Sequence, residues 1–211
     1  MIFQSIEYLI LGVPAILIAL TFHEYAHGKM AFLYGDSTAK QQGRLTLNPL
    51  AHLDPIGTIL LLTSGFGWAK PVPVNPINFR GDRKRAMMFV GLAGPLMNLI
   101  LAYLSAAAMR LVSLSGVSGN LAGYLWIFFY VLLRINVGLG IFNLIPVPPL
   151  DGSRILGGLL PYKYLGYLAT VERYGILILL LLVFTNVTDV LIGKPIEILV
   201  NFFMAANGVS F

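Results

Sequence analysis

His23, Glu24 and His27 stand in the spacing H-E-Y-A-H. Residues four apart share one face of an α-helix, so the two imidazoles point the same way, with a carboxylate one position after the first. This is the H-E-x-x-H spacing with which zinc peptidases bind metal, the glutamate lying beside the ion to take a proton from water. The bland reading is a pair of helical histidines that hydrogen-bond within a bundle. It is disfavoured because the chain has 3 histidines in all and two of them fall here. The carboxylate ends a run, IEYLILGVPAILIAL, that otherwise belongs in lipid, and a charge in such a segment is costly enough to imply function.

A catalytic zinc takes three protein ligands and leaves the fourth position to water, so one ligand is missing. The acids within or near the apolar runs are Glu7, Asp54, Asp151, Glu172, Asp189 and Glu197. Asp151 stands out for its setting, FNLIPVPPLDGSRIL, where Pro146, Pro148 and Pro149 stop a helix that begins near Leu121. A proline-broken helix end lets a carboxylate turn back toward the bundle. Taken alone, the same residues read as an Asp-Gly turn before a new helix at Ser153; beside the histidine pair, the ligand reading prevails.

These residues need elements to position them, and the composition says which. The chain has 211 residues, 57% hydrophobic and 11% charged, more apolar than a soluble domain of this length can bury. Ala86–Met109, Leu111–Leu133, Ile135–Leu150 and Tyr174–Thr188 carry no formal charge. With the N-terminal run they predict an all-α polytopic membrane protein, a bundle of about four to six transmembrane segments at roughly 20 residues each. Pro55–Ala69 is shorter and reads as a half-helix or re-entrant loop, which protein must shield at membrane depth. The first apolar run lacks the basic start and small-residue cleavage site of a signal peptide. Cysteine is absent, so thiolate ligands and disulfides are excluded.

Charge fixes the expected orientation. Eight of the 14 Lys and Arg residues lie between Lys29 and Arg85, densest in RGDRKR at Arg80–Arg85, whereas the loop near Ser113–Asn120 has none. By the positive-inside rule the basic region is cytoplasmic, and the HEYAH end of the first helix approaches that side of the cell membrane. The net charge of +5 is therefore a matter of topology, and no aromatic-laced basic patch points to nucleic acid.

HEYAH in the first span, GLAGPLMN in the next long one and FNLIPVPPLDG closing the following one together resemble the site-2 protease family of intramembrane zinc metalloproteases. NPLAHLDPIGTILL and GWAKPVPVNPINFR are similar to that family's compact bacterial and archaeal members. The resemblance covers roughly 10–160, in the family's order, and no PDZ-like or CBS-like module is visible. It implies a single intramembrane metalloprotease domain over 1–211, with 161–211 as extra C-terminal helices. It implies His23, His27 and Asp151 as ligands of one Zn2+ and Glu24 as the catalytic base. It also implies a small membrane-associated β-hairpin near the site, which fits the alternation of RLTL at Arg44–Leu47; a plain surface hairpin is the other reading. The expected partners are the lipid bilayer and a single-pass membrane protein substrate; the oligomeric state stays open.

Other polar residues have two readings each. Asn143 donates either to the scissile carbonyl, as substrate-binding residue, or to the end of its own proline-broken helix, and the resemblance favours the first. Gly94, Pro95 and Asn98 read mainly as a close helix crossing. His52 is a spare ligand or, preferred, a cap or gate residue. Arg134 lies inside WIFFYVLLRINVGLGIF and needs a partner, Glu7 or Asp189, or a watery cavity. KPIEILVNFFMAANG reads as an interfacial amphipathic helix or a partial span.

Hydrolysis of peptide bonds in or near transmembrane segments, as in regulated intramembrane proteolysis, is the function these features select. A di-iron desaturase needs many more histidines than 3. The alternative is a non-proteolytic membrane metal-binding or transport protein, yet no second HExxH or LDG supplies the internal repeat common in transporters, and neither Glu24 nor a ligand is lost.

Overall fold

A computed structural model describes residues 6–64, 67–185 and 187–209, with the side chains of 6–9, 61–64, 183–184 and 187–190 left aside. Its elements are α1 (Ile6–Leu33), α2 (Thr38–Gln41), α3 (Pro55–Ser64), α4 (Arg83–Leu114), α5 (Asn120–Asn143), α6 (Asp151–Leu159), α7 (Leu165–Arg173), α8 (Gly175–Phe184) and α9 (Val187–Ala206). Helix α4 is the centre, packed against α1, α5, α6 and α9.

The packing follows from small residues at helical spacing. On α1, Ala15, Ala19, His23, His27 and Ala31 form one row four residues apart, and all are buried. On α4 the row is Ala86, Val90, Gly94, Asn98, Ala102 and Ala106, also buried. Without a hydrophobic drive inside lipid, helices associate where small side chains let backbones approach. The two histidines replace alanines in such a row, so they point into the interface. A second cluster, Ala102, Ala106, Met109, Leu133, Val137, Val200 and Met204, ties α4, α5 and α9 together.

The surface is inverted relative to a soluble protein. Leu96, Ile100, Leu104, Leu111 and Leu121 are exposed, while His23, Glu24, His27, Asn98, Asn136 and Asp151 are buried. That distribution suits a bilayer. Three helices among the described residues, within 10–33, 83–114 and 120–143, are long and apolar enough to cross a membrane. A fourth span exists if Tyr162–Arg173 and Gly175–Leu182, bent by 65°, count as one. Only then does the count reach the lower bound of the expected four to six. One reason is that Leu111–Leu133 and Ile135–Leu150 are not two spans. The Ser115–Gly119 turn ends α4, and the single helix α5 carries Arg134 within it. Another is length: α3 has 10 residues, about 15 Å against a hydrocarbon core of about 30 Å.

Two further expectations change. Arg44–Leu47 forms no strand; Leu45–Leu47 are bends, and the β-pairing among the described residues is a single antiparallel bridge, Leu53 with Ala69. The reason is that its polar groups are used elsewhere: the Arg44 guanidinium donates to the carbonyls of Lys70 (2.7 Å) and Pro71 (3.2 Å), and the Thr46 carbonyl accepts from His52. Of the C-terminal KPIEILVNFFMAANG, residues 194–206 belong to α9, whose Val200 and Met204 sit in the core, so of its two readings, interfacial helix or partial span, the interfacial one is lost. Arg134 is exposed and donates to the Tyr130 hydroxyl (3.3 Å); the side chains of Glu7 and Asp189 lie outside the described residues.

Candidate metal centre

His23 Nε2, His27 Nε2 and Asp151 Oδ2 form a nearly equilateral triangle. The histidine nitrogens are 3.0 Å apart, and each is 3.1 Å from the carboxylate oxygen. All three residues are buried. Two elements make this meeting possible. Gly94 of α4 leaves room for the imidazoles, since a Cβ there would fall 2.4 Å from His27 Nε2 and 2.7 Å from His23 Cε1. Asp151 arrives because the proline-rich turn after α5 runs straight into α6, and Gly152 permits the contact: a Cβ would lie 2.3 Å from the Ile145 carbonyl oxygen and 2.4 Å from that of Leu144. Asp151 Oδ1 meanwhile accepts from Arg154 (3.1 Å), which steadies the carboxylate.

The donor set fits a metal ion. His27 Nδ1 is 2.6 Å from the Val90 carbonyl, which can only accept, so Nδ1 carries the proton and Nε2 presents a lone pair. His23 Nδ1 is likewise 2.6 Å from Asn98 Oδ1. With Asp151 Oδ2, the two Nε2 atoms face one point. Zinc bound at about 2.0–2.1 Å holds tetrahedral ligand atoms roughly 3.3 Å apart, close to the observed 3.0–3.1 Å. Zn2+ is the cofactor these residues would hold.

Glu24 is buried beside His23, and its Oε2 accepts the backbone N–H of Val72 at 2.8 Å. Val72 belongs to an extended strap, Ala69–Asn75, that lies across this end of the bundle. The strap is fastened three times more: Lys70 N–H to the His52 carbonyl (2.9 Å), Arg44 to Lys70 and Pro71, and Asn75 N–H to Asp36 Oδ2 (2.7 Å). Asp36 is fully buried, and its Oδ1 also accepts from Thr38 and from Asn78 Nδ2 (2.9 Å). Burial alone would raise its pKa, but these hydrogen bonds hold the carboxyl below the usual range.

The remaining expected residues fall outside the triangle. Asn143 Nδ2 donates to the Leu139 carbonyl of its own helix (3.0 Å). His52 is buried, with Nε2–H donating to the Thr46 carbonyl (2.8 Å), which ties the 44–52 loop together. Asn98 and Asn136 were the residues sequence reasoning undervalued, as was the Val72 amide. For the two asparagines the available signal was an uncharged amide in a span where burying polarity is expensive.

A buried histidine–histidine–aspartate set, assembled between long apolar helices with a glutamate beside it, is a candidate metal centre in a bundle of membrane-type helices. The chain belongs to peptidase family M50, the site-2 protease family: the family's model matches residues 112–184, a stretch that contains Asp151. It is 44% identical to YwhC of Bacillus subtilis (strain 168), named as a candidate zinc metalloprotease, over 176 residues that cover 82% of this chain and 80% of YwhC. Rip2 of Mycolicibacterium smegmatis, named in the same way, is 29% identical over 213 residues, 95% of this chain and 75% of Rip2. Zinc metalloprotease MJ0392 of Methanocaldococcus jannaschii is 29% identical over 171 residues, 81% of this chain and 39% of that protein. No solved structure matches the chain significantly.

Proposed function

We propose that this zinc metalloprotease is an intramembrane endopeptidase that cuts peptide bonds in or near the transmembrane segment of single-pass proteins, from the cytoplasmic side of the cell membrane. The observation that carries the reading is the triangle of acceptor atoms enclosed by membrane-type helices. When bound there, zinc supplies a Lewis acid that activates water and polarises a carbonyl. His23, His27 and Asp151 would hold it as its three protein ligands. Glu24 takes a proton from water as the oxygen–carbon bond forms, and returns it to the amide nitrogen as the carbon–nitrogen bond breaks. Val72 N–H orients that carboxylate. Asn143, near the carboxyl end of α5, is the candidate to meet the substrate backbone once its own-helix bond is exchanged.

The depth of the site supports the cytoplasmic assignment. His27 is six residues before the end of α1, about 9 Å along the helix, and Gly94 is eleven residues into α4, about 16 Å, counted from the end that carries Arg83, Lys84 and Arg85. Water reaches such a depth more readily from the near side. A substrate helix hides its amides in an i to i−4 ladder, so unwinding must come before cleavage, and a Gly, Pro or Asn near the cytoplasmic end lowers its cost. Regulated intramembrane proteolysis is the process this would serve.

The test is reconstitution in liposomes with single-pass model proteins, mapping new termini by mass spectrometry. We expect cuts within or beside the apolar segment, abolished by Glu24→Gln and slowed when helix-weakening residues become Leu. Cuts confined to extramembrane domains, or undiminished with Glu24→Gln, would contradict the proposal.

A further inference from the structure

We propose that Asn98 is a positioning residue for the metal centre: it selects the tautomer and ring orientation of His23, and Asn136 supports it from a third helix. The inference rests on the metal reading above and goes beyond it, because it concerns how the lone pair comes to face the site. Both asparagines are fully buried. Asn98 Nδ2 is 3.1 Å from the Ala19 carbonyl oxygen and 2.8 Å from Asn136 Oδ1, while Asn136 Nδ2 donates to the Leu132 carbonyl at 2.9 Å.

The direction of this chain is not free. A backbone carbonyl only accepts, so the Asn98 atom facing Ala19 must be the amide nitrogen, and the Asn136 atom facing Leu132 must be one too. Asn136 therefore turns its oxygen to Asn98 and accepts that residue's second amide hydrogen. Asn98 then has only an oxygen left for His23, 2.6 Å away. An oxygen there requires Nδ1–H, so Nε2 is bare and aimed at His27 and Asp151. Turning the Asn98 amide over would set its oxygen against two acceptors in a dry interior, where each unpaired polar group is expensive. His27 needs no such device, since the Val90 carbonyl does the same work directly. The two ligands are thus held differently: His27 by the backbone of α4, and His23 by a side-chain relay joining α1, α4 and α5.

Partners of this kind are worth about 10–100-fold in metal affinity. Full-length Asn98→Leu, Asn98→Ala and Asn98→Asp are purified in detergent and checked for folding by thermal midpoint. Zinc affinity is measured by competition with a chromophoric chelator, and ligand geometry by the visible spectrum after cobalt(II) loading. Leu matches the volume without the acceptor, and Ala avoids overpacking should Leu not fold. Both should weaken zinc by about 10–100-fold and shift the cobalt bands. Asp keeps a carboxyl oxygen toward Nδ1–H, so it should hold zinc within about threefold of the parent. A role in packing alone predicts the reverse order, with Leu tolerated and Asp worst. Parent-like affinity in Leu and Ala, or weaker binding in Asp than in both, overturns the proposal. Asp151→Ala is the control: zinc retained at full affinity there would refute the metal reading itself, whatever Asn98 does.

Discussion

The metal centre and the strap that covers it are built on opposite principles. The centre is made of side chains at fixed helical spacing: rows of buried residues four apart on α1 and α4 bring His23, His27, Gly94 and Asn98 together. The strap, Ala69–Asn75, has no regular structure and is held by scattered polar bonds to Glu24, His52, Arg44 and Asp36. The first can be lost only by breaking the bundle or a ligand. The second can open one bond at a time. Substitutions in the centre should therefore act on metal, and substitutions in the strap on turnover or local stability.

The largest effect is expected at the ligands. His23→Ala, His27→Ala or Asp151→Ala leaves two protein ligands, and zinc content after dialysis should fall by more than about 100-fold. Gly94→Ala should come close to this without touching a ligand, because its Cβ would stand 2.4 Å from His27 Nε2 against a side chain that has nowhere to retreat. Zinc per chain and thermal midpoint should both drop. If Gly94→Ala keeps its zinc, the clearance argument fails.

Strap variants should be milder and spare the metal. Val72→Pro removes the N–H that Glu24 accepts, between two residues that are already proline; zinc should stay while kcat falls about tenfold. Asp36→Ala should cost about 2 kcal/mol of local stability, measured by hydrogen exchange in 69–78, because four donors lose their acceptor. The pH dependence has a definite sign. Since the folded carboxyl titrates below the usual range, its contribution is complete above the unfolded pKa and is lost as the pH falls through the folded value. Protection of the strap should decline in acid, and Asp36→Asn should flatten that limb.

What could be read from the residues follows the same division. The ligand set was legible because i, i+4 geometry and proline-broken helix ends are local rules that survive burial. The strap was not, since nothing local to Arg44–Leu47 says its polar groups will bond to 69–71 and 52 instead of to a neighbouring strand. Leu111–Leu133 and Ile135–Leu150 read as two uncharged runs, and the structure joins most of both in α5; a long side chain reaching the Tyr130 hydroxyl lets that one helix carry Arg134. Asn98 was legible as a polar residue in a small-residue row, but its direction depends on carbonyls of two other helices.

X-ray absorption at the zinc edge of the purified, full-length protein tests the central claim most directly, because the chain has only 3 histidines and imidazole scattering counts them. The account predicts one zinc per chain with two imidazoles and oxygen ligands at about 2.0–2.1 Å, a spectrum unchanged by His52→Ala and lost with His23→Ala. A third imidazole that disappears with His52→Ala would contradict it.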